Sequence, residues 1–123
     1  MRYVFGFLLA CTTFYAYGQS QVMTENGNVA QLRALDTLTG VVRDLTMNVG
    51  ETLAYERLTI TLQECRYPKD NPNGDAFALL TIQDIREDTP RFDAWMIASS
   101  PALSALEHPR YDVWLLKCNM VDG

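Results

Sequence analysis

Apolar and polar residues alternate along most of the chain after residue 28, with turn-forming residues between the alternating stretches. The clearest case spans residues 58–63, where leucine and isoleucine alternate with threonine and glutamine. A period of two is typical of an antiparallel strand with one buried face. Similar alternation over 30–34 and 41–49, followed by turn-forming residues, predicts two earlier strands.

The second half of the chain continues this pattern with three further predicted strands. Residues 76–82 are apolar at both odd and even positions, which predicts a strand covered on both faces. The other two strands are predicted over residues 92–98 and 111–118. Cys65 falls on the opposite parity from the leucines of the strand before it, which predicts a bulge or a strand end just before this cysteine.

One short helix is predicted between the last two strands. Ser100 can act as its N-cap, with Pro101 at the first helical position, where a missing N–H costs nothing. Leu103 and Leu106 would face one side, and the next proline would end the helix. The whole pattern predicts a single all-β domain over residues 29–123, an antiparallel sandwich or small barrel with one short helix.

Residues 1–18 have the layout of a secretory signal peptide. A positive start at Arg2 precedes an uncharged run over residues 4–16, and two small residues occupy the positions expected before a cleavage site. The uncharged run is too short for a comfortable membrane span. The mature protein would begin with a polar, flexible lead-in over residues 19–28 and would be periplasmic or secreted.

A second processing site is possible within the same segment. The sequence Leu8-Leu9-Ala10-Cys11 resembles a lipobox, in which Cys11 would become the lipidated first residue. The apolar segment before it would then be unusually short, so cleavage after residue 18 is the favoured prediction. Under the alternative, the protein would be lipid-anchored through Cys11, and only then would it contact a membrane.

Removal of the leader leaves two cysteines, and exported chains with an even number of cysteines usually form disulfides. A bond between Cys65 and Cys118 would stabilise the fold by up to about 4 kcal/mol. Two cysteines and one histidine fall short of a usual metal site, and there is no phosphate-binding glycine loop, so no metal or other cofactor is predicted. The formal net charge of −5 argues against nucleic acid or anionic lipid as the main partner.

The stretch over residues 95–118 is distinctive, with Ser-Ser-Pro-Ala-Leu-Ser-Ala-Leu-Glu-His-Pro near its centre. Together with residues 32–40, 49–51 and 58–65, it resembles a bacterial envelope family, domain of unknown function family 2155. The resemblance implies an exported protein that contains Cys65 and Cys118. The family has no assigned reaction, so the resemblance implies no catalytic residues. Arg110 departs from the family pattern, in which this position is small or aliphatic, and the departure bears on local packing.

One catalytic set is conceivable near the predicted helix. A serine hydrolase needs a hydroxyl nucleophile, an imidazole base and a carboxylate that orients the base. Ser100 (or Ser99), His108 and Asp112 supply these groups within fourteen positions. The chain has no Gly-x-Ser-x-Gly elbow and no glycine-rich oxyanion loop, and the same residues are well explained as caps and turn formers. A small envelope hydrolase is therefore the alternative hypothesis, and an enzyme is the less favoured class.

Aromatic residues around the predicted helix indicate a binding surface instead. Exposed aromatic rings stack on sugars or anchor protein partners, although tryptophans also commonly fill the core of a small β-domain. The favoured hypothesis is a non-catalytic binding or scaffolding module of the periplasm or cell envelope, whose partner is an envelope protein or a cell-wall sugar. The contact surface is predicted over 98–114 with the loop 67–74 beside it. The predicted contact residues are Trp95, Leu106, His108, Arg110, Tyr111 and Trp114.

Overall fold

The computed structural model of the chain describes Gly6 and residues 23–121. Within these residues the fold is built almost entirely from strands, with one 3₁₀ helix over Pro101–Leu103. Among the described residues, no helix is long and apolar enough to cross a membrane. The strands are β1 (Thr24–Gly27), β2 (Val29–Asp36), β3 (Val42–Asn48), β4 (Thr52–Tyr55), β5 (Leu58–Pro68), β6 (Phe77–Asp84), β7 (Phe92–Ile97) and β8 (Tyr111–Asn119).

Two antiparallel sheets make up the domain, which confirms the predicted all-β class. The larger sheet has the order β1-β5-β6-β7, with β4 also paired to β5, and the smaller sheet has the order β3-β2-β8. Strands β5 and β6 of the larger sheet contact β8 of the smaller one, so the two sheets pack face to face as a sandwich.

The hydrophobic core lies between the sheets and follows the period of two seen in the sequence. On β5, Leu58, Ile60 and Leu62 are fully buried, as the alternation predicts. Strand β6 buries its even-numbered residues from Ala78 to Asp84, whereas its odd-numbered residues remain partly exposed. The predicted coverage of residues 76–82 on both faces is therefore wrong, because the sandwich has only two layers and nothing among the described residues covers the outer face of β6.

The predicted bulge before Cys65 is present, since the register between β5 and β6 shifts between Leu62 and Glu64. The extra residue turns Cys65 into the core, where it forms a disulfide with Cys118 of β8. The Cα atoms are 5.9 Å apart and both cysteines are fully buried. The predicted disulfide is therefore present, and it joins the two sheets across the core.

Gly27, at the end of β1, lies directly over the disulfide. A Cβ atom at this position would lie 2.3 Å from the Cys118 sulfur and 3.0 Å from the Cys65 sulfur. Only glycine brings the backbone this close to the two sulfur atoms. The neighbouring Asn28 exchanges two hydrogen bonds with the backbone of Val121, both of 2.7 Å, and so ties β1 to the end of the chain.

Two further local predictions differ from the structure. Residues 24–27 form β1, paired with β5, rather than part of a flexible lead-in, because backbone pairing compensates for their lack of apolar side chains. The predicted lead-in residues 19–22 lie outside the described residues, as does the predicted signal peptide apart from Gly6.

The predicted helix is a single 3₁₀ turn. Ser100 precedes it, but its side chain forms no capping hydrogen bond. Leu103 and Leu106 do not share a face, since Leu103 is 78% exposed and Leu106 is buried. The prediction was wrong here because Leu106 lies beyond the turn, in extended chain that packs against the core.

Candidate functional site

A buried polar cluster lies at one end of the sandwich, centred on His108. Its Nε2 atom is 2.9 Å from Oδ2 of Asp84, at the end of β6, and both side chains are only 1% exposed. Its Nδ1 atom accepts hydrogen bonds from the backbone N–H groups of Arg110 (3.0 Å) and Tyr111 (3.2 Å). Because Nδ1 accepts, the proton lies on Nε2 and is donated to Asp84. Both ring nitrogens are therefore already occupied.

Asp84 is held in its charged form by its neighbours. Arg86 donates to the carboxylate through Nε (3.2 Å), Nη2 (3.1 Å) and its backbone N–H (2.9 Å). The hydrogen bonds from the Arg86 side chain and then from His108 hold the pKa of Asp84 far below its usual range. The carboxylate therefore serves as a fixed acceptor for the turn before β7 and for the turn before β8.

Arg110 extends this polar cluster to the smaller sheet. Its guanidinium forms two hydrogen bonds with Asp36 at the end of β2, of 3.1 Å and 2.9 Å. The bond from Arg110 lowers the pKa of Asp36. The Arg110 carbonyl accepts from the backbone N–H and the hydroxyl of Thr37. Arg110 thus links the start of β8 to the β2–β3 turn.

The structure does not bring Ser100, His108 and Asp112 together as a catalytic triad. Among the described residues, no serine hydroxyl bonds to His108, and the carboxylate that contacts it belongs to Asp84 rather than Asp112. Asp112 is exposed on β8, on the opposite face from its buried neighbour Tyr111. The Ser99 hydroxyl donates to Asp75 at 2.7 Å.

Most of the predicted contact residues are also unavailable to a partner. Leu106 and Tyr111 are buried in the core, and the His108 side chain is buried beside them. The charged end of Arg110 is engaged by Asp36, and Trp114 is half-buried on β8. Trp95 differs from all of these, because 37% of its surface is exposed and it lies on the outer side of β7.

Trp95 belongs to an apolar area on the outside of the larger sheet. Leu79 lies opposite Trp95, and Phe77 lies opposite Ile97, in the register between β6 and β7. All four side chains point away from the core, since their strand neighbours are buried or pack against the core. We call these four residues, Phe77, Leu79, Trp95 and Ile97, the outer apolar face.

A shallow groove of about 410 Å³ crosses part of this face and is lined by Thr24, Arg66, Phe77, Trp95 and Ile97. The Arg66 guanidinium is fixed at its rim by hydrogen bonds to Thr24 (2.6 Å), Asn26 (2.6 Å) and Glu64 (3.1 Å). The groove therefore has an apolar floor and a polar border whose side chains are already held in place.

Sequence reasoning missed Phe77 and Leu79 as surface residues and Asp84 as the partner of His108. A signal for the first two was present, because residues 76–82 are apolar at both parities. That pattern fits a strand covered on both faces and equally a strand whose outer face is left for a partner. No comparable signal existed for Asp84, which the fold brings to His108 from 24 positions away. Within the described residues, no group of three or more potential ligands could hold a metal ion.

Comparison with known proteins gives a family for this chain. Residues 30–118 match the family described as uncharacterized protein conserved in bacteria, DUF2155. The chain is also 30% identical over 97 residues to the uncharacterized protein RP359 of Rickettsia prowazekii (strain Madrid E); the match covers 76% of this chain and 63% of that relative. No solved structure matches. The match spans both sheets and both cysteines, and the chain therefore belongs to the bacterial DUF2155 family.

Proposed function

We propose that this protein is a non-catalytic binding or scaffolding module of the bacterial periplasm or cell envelope, which contacts its partner through the outer apolar face. The observation that carries the proposal is the exposed Trp95 among three further apolar side chains, on a sheet whose other face forms the core. Contiguous apolar surface with a polar rim is typical of interaction sites, and tryptophan often dominates their binding energy.

A protein partner fits this face better than a cell-wall sugar does. Sugar sites combine an aromatic platform with side chains that bond to the hydroxyl groups of the ring. Around Trp95 the outward residues Phe77, Leu79 and Ile97 have no side-chain donors or acceptors. The polar neighbour along β7, Asp93, already accepts a hydrogen bond from the Thr81 hydroxyl. The Arg66 guanidinium at the rim is already engaged by three partners. The chemistry of the face therefore favours an apolar protein surface.

The proposed envelope location rests on the leader and on the disulfide. Residues 1–18 have the signal peptide layout, and a buried bond between Cys65 and Cys118 suits an oxidising compartment. Mass spectrometry of the N-terminus of the purified protein tests this location. A start at Gln19 supports secretion, a lipidated Cys11 supports the anchored alternative, and an intact Met1 contradicts both.

The hydrolase built on Ser100, His108 and Asp112 has less support. Its base would need a free ring nitrogen facing a serine, whereas both nitrogens of His108 are occupied by Asp84 and two backbone N–H groups. A fluorophosphonate probe discriminates the two hypotheses. Labelling of Ser100 that disappears in the His108→Ala protein would replace the binding proposal with the catalytic one.

Photo-crosslinking tests the proposed contact face directly. A photoreactive amino acid at position 97 of the tagged, natively exported protein should give one dominant crosslinked partner. Its yield should fall at least several-fold when Trp95→Ser is added, because the main apolar anchor is lost. Leu38→Ser is the matched control, since Leu38 is 76% exposed in the turn between β2 and β3, away from the larger sheet. Equal yields from both variants would remove the outer apolar face as the contact site.

A further inference from the structure

One edge of β7 has no neighbouring strand and borders the outer apolar face, and the 3₁₀ turn over Pro101–Leu103 contacts this strand without pairing with it. The Ala98 N–H donates to the Ala76 carbonyl at 2.9 Å, so hydrogen-bonded and non-hydrogen-bonded pairs alternate from there along β6 and β7. This alternation turns the backbone N–H and C=O groups of Asp93 and Trp95 away from β6. Within residues 23–121, no hydrogen bond reaches these outward groups.

The side chains along this edge supply further recognition groups. Asp93, Trp95 and Ile97 lie on the outer side of β7, while the alternate residues point into the core. The Asp93 carboxylate accepts a hydrogen bond of 3.0 Å from the Thr81 hydroxyl, and it has no ion-pair partner among the described residues. The edge therefore combines free backbone groups, two apolar side chains and one uncompensated negative charge.

We propose that β7 is extended by a strand of a partner protein that carries two apolar residues and one basic residue at alternate positions. This rests on the proposed binding function and specifies the chemistry of the partner. A free strand edge binds extended peptides through main-chain hydrogen bonds, and the adjacent side-chain sites give specificity. In an antiparallel pairing, the apolar residues lie opposite Ile97 and Trp95, and the basic residue lies opposite Asp93.

A second copy of this chain fits the edge less well. An antiparallel pair of β7 strands centred on Trp95 would place each Asp93 opposite an Ile97 of the other copy. Neither carboxylate would gain a cation, and two chains with a formal charge of −5 each would be brought together. Charge complementarity therefore favours a strand that belongs to another protein and carries a basic residue.

The other sheet offers no equivalent edge. On β8, the pairing with β2 is interrupted by a register shift between Gln31 and Leu32, which breaks the regular spacing that a long added strand needs. On β3, the outward Asp44 is already paired with Arg33 at 2.7 Å. β7 differs because its free edge continues into the outer apolar face.

Capped peptides test this inference with the protein in its native, disulfide-bonded form. The probe has valine, valine and lysine at alternate positions with threonine between them, and the matched control has glutamate in place of lysine. A third peptide carries N-methyl groups on its pairing edge. We expect the lysine peptide to bind about five-fold tighter than the glutamate peptide, and the methylated peptide to lose binding. In D93N, the lysine and glutamate peptides should bind alike.

Amide hydrogen exchange supplies a readout that side-chain stacking alone would not change. The amides of Asp93 and Trp95 should exchange more slowly when the lysine peptide is bound, because they become hydrogen-bonded. Binding without this protection would overturn strand addition and leave the binding function intact. Equal affinity for the lysine and glutamate peptides, or no binding of the lysine peptide, would overturn the proposed partner chemistry. A dimer of the protein that dissociates in W95K would assign the edge to a second copy instead.

Discussion

His108 and Trp95 flank the same stretch of chain, yet the structure uses them in opposite ways. His108 is enclosed, and each polar atom of its ring is bonded within the protein. Trp95 faces outward from a sheet, among apolar residues that have no layer over them in the described part of the chain. Residue type alone would rank the lone histidine as the functional residue. Its surroundings instead show a structural role for the histidine, and they leave the tryptophan partly exposed.

The comparison of His108 with Trp95 predicts the largest loss of stability for a substitution of Asp84, the partner of the histidine. Asp84→Ala would leave the buried Nε2–H of His108 and the Arg86 guanidinium without their acceptor, so we expect the thermal midpoint to fall by about 10 °C or more. Asp44→Ala, which breaks an exposed ion pair with Arg33, should lower it by no more than about 4 °C. Equal losses in calorimetry would contradict the structural role of the cluster.

The next largest effect is expected at His108 itself. His108→Ala removes the acceptor for two backbone N–H groups and should reduce the free energy of unfolding by about 2–3 kcal/mol. His108→Asn is the matched variant, because its side-chain oxygen can replace Nδ1 and restore part of this loss. Denaturant unfolding measures both. An unchanged free energy of unfolding in His108→Ala would show that the buried hydrogen bonds are not needed.

Acid should weaken the cluster around Asp84 and Asp36. The Arg86 and His108 hydrogen bonds lower the pKa of Asp84, and the Arg110 hydrogen bond lowers the pKa of Asp36, relative to the unfolded chain. Groups with a lowered folded-state pKa contribute stability above their unfolded value of about 4, and this contribution is lost as the pH falls below it. The urea midpoint should therefore decrease as the pH is lowered from about 5 to 2.5.

The matched variants for this pH dependence are Asp36→Asn and Asp112→Asn. In Asp36→Asn the urea midpoint should fall less steeply as the pH is lowered. The variant lacks one of the carboxylates that lose an ion pair when they are protonated. Asp112→Asn changes an exposed carboxylate for which the structure gives no hydrogen bond, so it should keep the slope of the unchanged protein. Identical slopes for Asp36→Asn and the unchanged protein would contradict the assignment.

The smallest effect on stability is expected at Trp95, where the effect on binding should be the largest. Trp95→Ser should reduce the free energy of unfolding by about 1–2 kcal/mol, because 37% of the Trp95 surface is already exposed and the rest packs on an outer sheet face rather than in the core. The same variant should lose the crosslinked partner, whereas His108→Asn should retain it. A loss of stability above about 3 kcal/mol at Trp95 would place this residue with the core instead.

The sequence predicted those parts of the fold that depend on neighbours along the chain. The alternation around Leu58 and Leu62 indicates that one face of the strand is buried. The change of parity at Cys65 indicates the bulge before this cysteine. The disulfide was predicted from the two cysteines that remain when the predicted leader, which contains Cys11, is set aside. Strand β1 was missed because its polar residues are held by pairing with β5, and backbone hydrogen bonding leaves no pattern in side chains.

The candidate site depended on contacts between distant residues, which alternation does not report. Asp112 is near His108 in sequence, but a strand turns successive side chains to opposite faces, so Asp112 points outward next to the buried Tyr111. Asp84 reaches His108 only because β6 and the turn before β8 meet at one end of the sandwich. The sequence also did not show which way Trp95 points, because apolar residues occur at both odd and even positions of β7. Whether the outer side of β7 is covered depends on how many sheets the domain has.

The position of Gly27 over the two sulfur atoms has a consequence for access to the disulfide. Thiol–disulfide exchange requires a thiolate to approach one sulfur of the bond, and β1 occupies that approach. A thiol can therefore reach Cys65 or Cys118 only while β1 is displaced from its place over the bond. Once β1 is in place, the lifetime of the bond in a reducing medium is set by how often this first strand lifts away from the domain.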